Sequence, residues 1–144
     1  NYRMNDLQAA LGISQLNRLN FFVKKRNSIA RFYNKKLIDL PIILPTVRSN
    51  TSSSFHLYII QINKELKKNR NTIFKKLLKL GIGVNVHYIP IHLQPFFKKQ
   101  GFKLGQFKNS ENFYKNSITI PLHVGLKKFQ LNKIISSIKK CLKS

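Results

Sequence analysis

Between Gly83 and Phe97 the chain reads GVNVHYIPIHLQPFF, a stretch that sets His87, Tyr88, His92 and Gln94 around Pro90 and Pro95. Imidazole, phenol and amide groups are hydrogen-bonding side chains of the kind that hold ligands. Val84 and Val86 alternate with Asn85 and His87 as on a short strand. Each proline lacks an N–H and fixes its own φ, so the pairing must stop there. The polar side chains are therefore expected where a strand breaks into an irregular loop, and on a rigid scaffold such loops are where binding groups collect. Taken alone, the stretch specifies no reaction.

The rest of the chain offers little other chemistry. Its four acids, Asp6, Asp39, Glu65 and Glu111, form no recognisable pair, which argues against two-carboxylate acid/base work. The four histidines, His56, His87, His92 and His123, follow no common ligand spacing, and one cysteine cannot build a thiolate cage, so no metal site is expected. The patterns GxxxxGK[ST], GxGxxG and GxSxG are absent. The chain is not expected to be a complete enzyme by itself.

A formal net charge of +23 would ordinarily point to a polyanion. Here the excess is mostly lysine, it accompanies abundant Ile and Asn, and pairs such as Lys24 and Lys25, Lys75 and Lys76, and Lys139 and Lys140 lie on separate segments. Solvated helix faces explain that dispersion, so nucleic acid is not the expected partner. A small basic nucleic-acid-binding protein stands as the alternative from another class. Cys141 alone excludes an internal disulfide and suits a reducing cytoplasm. No apolar run approaches the roughly 20 residues that a membrane-spanning helix needs, and NYRMNDLQAALG lacks the layout of a secretory signal.

Elements that would position the loop follow from periodicity. Asn5 and Gln8 form a capping-box pattern ahead of Leu7, Ala10 and Leu11, and the apolar stripe runs on to about Leu40, where Pro41 ends it. This predicts one long helix, bent or broken near Asn17 to Asn20. The tract SNTSSS reads as a loop; Phe55 to Ile62, Val84 to His87 and Ser117 to Leu122 read as strands. Asn69 to Leu80 (with Gly81 as its cap), Asn109 to Asn116, and the closing run of Leu131, Ile134, Ile135, Ile138 and Leu142 read as helices. The order αα-β-α-β-α-β-α describes an α+β unit, a three-stranded sheet covered by helices. Residues 1–40 are expected to link this unit, 41–144, to something else.

Four segments together, NYRMNDLQAALGISQL, SSSFHLYII, GIGVNVHYIPIHLQPFF and SENFYKNSITIPLHVGL, resemble the C-terminal portion of the DegT/StrS-type nucleotide-sugar aminotransferases. The resemblance covers essentially the whole chain in order. It implies the small C-terminal domain of a fold-type I pyridoxal 5'-phosphate enzyme, acting as a homodimer with glutamate as amino donor. The HYIPIHLQPFF version most resembles the branch that aminates carbon 4 of a UDP-linked 4-keto-6-deoxy sugar on the pseudaminic acid route. Relatives that act at carbon 3, on another sugar, or by dehydration share the fold. By the same resemblance Asn1 and Arg3 are cofactor-binding, through the phosphate; His87, Tyr88, Asn85, His92 and Gln94 are substrate-binding. His56 and His123, inside predicted strands, are expected to be structural. The Schiff-base lysine and the aspartate facing the pyridine nitrogen are expected upstream of Asn1, making this chain a fragment with no catalytic residue of its own.

Overall fold

The computed structural model describes residues 2–63, 65–66 and 68–143. The expected long first helix is two: α1, Asp6–Leu16, and α2, Leu19–Leu37, separated by a turn at Asn17 and Arg18. The capping box is formed, with Gln8 N–H donating to Asn5 Oδ1 at 2.8 Å and Asn5 N–H donating to Gln8 Oε1 at 3.1 Å. The two helices then differ. None of the described α1 residues is buried, whereas α2 buries Ile29, Ala30, Tyr33 and Leu37 along one face.

Three short strands form an antiparallel sheet in the order β1-β2-β3: Ile42–Ile43, Tyr58–Ile62 and Ser117–Ile120. The sheet has the expected number of strands but a different membership. Pro41 turns the chain out of α2, and Ile42 and Ile43 pair with Ile62 and Gln61. The expected strand at Val84 to His87 is reduced to a single bridge between Asn85 and Thr119. Strand β2 starts later than expected because Arg26 of α2 donates to the carbonyls of Phe55 and His56, both at 3.1 Å, and Phe55 takes φ +45°, outside strand geometry. His56 and His123 accordingly lie outside the strands and are exposed, not inside them.

Facing pairs Tyr58 with Ile120 and Ile60 with Ile118 put four buried side chains on one face of the sheet. Helix α3, Arg70–Lys79, adds Ile73 and Leu77; α6, Lys128–Lys143, adds Leu131, Ile134, Ile135, Ile138, Cys141 and Leu142. The 3.6-residue stripes of α2, α3 and α6 thus meet over the sheet as one core. Asn69 caps α3 by accepting from Thr72 N–H at 2.9 Å, and Gly81, at φ +73°, turns the chain out of the helix as a side chain with Cβ would not readily do. At the far end of α6, Lys68 Nζ donates to the carbonyls of Cys141 and Leu142 at 3.4 and 3.1 Å, placing a cation where the helix dipole is negative. Two further helices, α4 (Pro95–Lys99) and α5 (Lys108–Asn116), lie beside the loop that follows Gly83. No described helix is long and apolar enough to cross a membrane.

Candidate functional site

Because β3 lies at the end of the sheet, its outer backbone groups are free to take another segment. Asn85 takes that place: its N–H donates to Thr119 O at 3.1 Å and its carbonyl accepts from Thr119 N–H at 2.8 Å. The Asn85 side chain is turned back on its own loop, where Oδ1 accepts from Val86 N–H at 2.7 Å. Two residues on, His87 Nδ1 is 2.9 Å from Thr119 Oγ1, so the same threonine holds both backbone and imidazole. The His87–Tyr88 peptide is cis, and the two rings meet edge to face with centroids 4.5 Å apart. His87 is half-buried, while Tyr88 is 69% exposed beside it. A phenol projected beside a fixed imidazole offers a flat face and a hydrogen-bonding tip to a ligand.

The far end of the loop is arranged differently. Pro90 is buried, Ile91–Leu93 make a single 3-10 turn, and His92 points inward, with 7% exposure. Its Nε2 lies 2.9 Å from Glu111 Oε1 on α5. Burial acts against the charged form of Glu111, but hydrogen bonds from His92 and from the N–H groups of Gly105 and Phe107 outweigh it and hold this carboxyl below the usual carboxylate range. Gln94 donates to Ile89 O at 3.3 Å, closing the loop on itself. Beneath His92 an apolar cleft of about 260 Å³ is lined by Phe97, Phe102 and Phe107 among others.

Of the expected site residues, Asn85, His87 and Tyr88 come together at the β3 edge, and His92 and Gln94 belong to the same loop with their side chains turned to the protein. Arg3 is exposed in the segment ahead of α1; Asn1 lies outside the described residues. Thr119 and Glu111 are partners of the site that no sequence motif marks. Each nevertheless leaves a trace in the sequence: Thr119 is, with Ser117, one of the two polar members of the alternating strand SITI, and Glu111 is the only acid after Glu65. Among the described residues no group of three or more His, Cys, Asp or Glu side chains could hold a metal ion.

A helix-covered three-stranded sheet with this loop on its edge has the fold of a piece of a pyridoxal-phosphate aminotransferase. The model superposes with a TM-score of 0.91 on a structure described as a sugar aminotransferase from Streptococcus pneumoniae, in its PLP form, at 32% identity over 98% of this chain and 36% of that one. It superposes on Helicobacter pylori PseC, described as an aminotransferase of pseudoaminic acid biosynthesis, with a TM-score of 0.89 at 32% identity, covering 99% of this chain and 38% of that one. A Campylobacter jejuni UDP-4-amino-4,6-dideoxy-N-acetyl-beta-L-altrosamine transaminase is 40% identical over 126 residues, 85% of this chain and 33% of that protein. Residues 1–139 match the DegT/DnrJ/EryC1/StrS aminotransferase family, and the chain belongs to it. It spans between 33% and 38% of the length of these three relatives.

Proposed function

We propose that this chain is the substrate-covering small domain of an enzyme that moves an amino group from glutamate to carbon 4 of a UDP-linked 4-keto-6-deoxy sugar, as on a pseudaminic acid type route. The observation that carries the reading is the fixed His87 and exposed Tyr88 at the β3 edge, within a family of sugar aminotransferases. Tyr88 and His87 would touch the nucleotide sugar and Asn85 would hold its backbone partner, while His92 and Gln94 would shape the loop. The intact enzyme is a cytoplasmic homodimer in this reading, with residues 1–40 running from a larger upstream domain to the small domain at 41–144.

Pyridoxal 5'-phosphate, when bound, supplies the electron sink through which an amino group passes between donor and keto carbon. Arg3 would hold its phosphate, for which an exposed guanidinium fork is chemically suited, together with Asn1. By the family resemblance, the carboxylate facing the pyridine nitrogen is assigned to the upstream domain. The Schiff-base lysine is likewise assigned to the upstream domain.

The test is to give the intact enzyme glutamate and a UDP-linked 4-keto-6-deoxy sugar and to locate the new amine by NMR. An amine at carbon 4 is expected, and Tyr88→Ala should raise the KM for the sugar about ten-fold. Amination at carbon 3, or loss of water without amination, would replace this reading with that of a relative of different regiochemistry or reaction. Arg3→Ala should lower the fraction of protein that retains cofactor through gel filtration.

A further inference from the structure

We propose that Glu111 is the positioning residue of the His87–Tyr88 loop, acting through His92; the proposal rests on the reading of that loop as substrate-facing. One atom, Glu111 Oε1, accepts from His92 Nε2 at 2.9 Å, from Gly105 N–H at 2.7 Å and from Phe107 N–H at 3.3 Å. An ionised carboxylate only accepts, so Nε2 of His92 is the protonated nitrogen. The donors belong to two separate segments, the 3-10 turn at Ile91–Leu93 and the turn leading into α5. A single side chain on α5 therefore ties both of them down.

The surroundings favour that tie over an ordinary surface pair. The side chains of His92 and Glu111 are 8% and 16% exposed, and the His92 ring lies 4.7 Å from that of Phe107. Phe107 continues to Phe102 at 6.3 Å and Phe102 to Phe97 of α4 at 6.0 Å. Hydrogen bonds partly withdrawn from water and assisted by charge are stronger than exposed ones.

What makes the tie matter is the rest of the loop's bonding. Leu93 N–H donates to Pro90 O at 2.8 Å, Gln94 N–H to Ile91 O at 3.0 Å and Gln94 Nε2 to Ile89 O at 3.3 Å, all within the segment itself. The segment is anchored to other elements at its two ends: Asn85 and His87 on Thr119, and His92 on Glu111. Tyr88, Ile89 and Ile91, between these anchors, are exposed. The place of Tyr88 is thus set by both ends, and loss of one leaves it free to shift.

Amide hydrogen exchange on the intact enzyme tests this without substrate, so it does not depend on the assigned reaction. Glu111→Ala should raise exchange at the Leu93 and Gln94 amides about ten-fold or more, leaving β2 and β3 amides unchanged. Glu111→Gln keeps an oxygen acceptor and should restore most of the protection. His92→Ala should reproduce the effect, and the double variant should add little to it. Unchanged loop exchange in Glu111→Ala, an equal rise across β2 and β3, or additive effects of the two changes would each overturn the proposal.

A kinetic arm then asks whether the tie serves the sugar. Glu111→Ala should raise the KM for the nucleotide sugar about ten-fold, with the KM for glutamate and kcat within about two-fold of wild type. Equal losses for both substrates would overturn the positioning role. An enzyme that aminates no nucleotide sugar would refute the proposed function and leave the exchange result standing.

Discussion

Helices α1 and α6 use a similar apolar alphabet and end in opposite circumstances. Leu7, Leu11, Ile13 and Leu16 of α1 are all exposed, whereas α6 buries Leu131, Ile134, Ile135, Ile138 and Leu142 against α2 and α3. Their local patterns already differ: α6 gathers its apolar residues on one face between polar ones, whereas those of α1 are spread around the helix despite its well-formed N-cap. A one-sided stripe therefore marks the helix fit for burial, and its tertiary neighbours complete that burial. In this chain the body from Ile29 onward is held by its core, whereas none of the described α1 residues is buried.

The largest effect that sharpens this contrast should come from Leu77→Ala. Leu77 is fully buried where α3 meets the core, and such truncations cost about 2–5 kcal/mol. A urea melt read by far-UV circular dichroism should show the lowered midpoint. Tyr33→Phe comes next: the phenol donates to Pro121 O at 2.7 Å, and losing a buried hydrogen bond typically costs about 1 kcal/mol. Burial, reinforced by the neighbouring Tyr58, also pushes the Tyr33 phenol above its ordinary value. A group raised in the folded state stabilises fully below its unfolded value and loses that contribution as pH rises through the folded one. Stability should thus fall in strongly alkaline solution, and less steeply in Tyr33→Phe.

Between core and α1 in strength stands the hold on the loop. The Glu111 carboxyl is lowered in the folded state, so its contribution is present above the unfolded carboxylate value and disappears as pH falls through the lower folded value. Protection of the Leu93 amide should decline in that acid window before the β2 amides lose theirs. Glu111→Gln should remove the acid dependence. Simultaneous loss at the loop and in β2 would mean that the loop has no separate hold.

The stripes of α2, α3 and α6, the break at Asn17 and the Asn5 capping box were all legible, because each rests on residues a few positions apart. Ile42–Ile43 was not, since two residues carry no periodicity and their pairing with Gln61 and Ile62 is a tertiary fact. The same limit applies within the loop. His87 and His92 carry the same signal, a histidine beside a proline-broken strand, yet one meets Thr119 and the other Glu111, 32 and 19 residues away. Which imidazole stays half-buried at the sheet edge and which is buried depends on those distant partners.

The smallest effects belong to α1, and they bear most directly on the proposed upstream domain. Asn5→Ala should remove the capping box and fray the first turn, worth about 1 kcal/mol to the helix, without moving the midpoint of the body. Leu11→Ala should shift that midpoint by no more than about 0.5 kcal/mol, as surface substitutions do. Leu11 and Leu77 then report one quantity, the packing around a leucine, in the two regions being compared. In the intact enzyme the proposal for residues 1–40 gives a different expectation, because an upstream domain packed on α1 would bury Leu11. Its truncation should there cost a core-like amount, about 2–5 kcal/mol. A cost that stays near zero in the intact enzyme would show that α1 faces water there too, and would break the assignment of α1 as the seat of the larger domain.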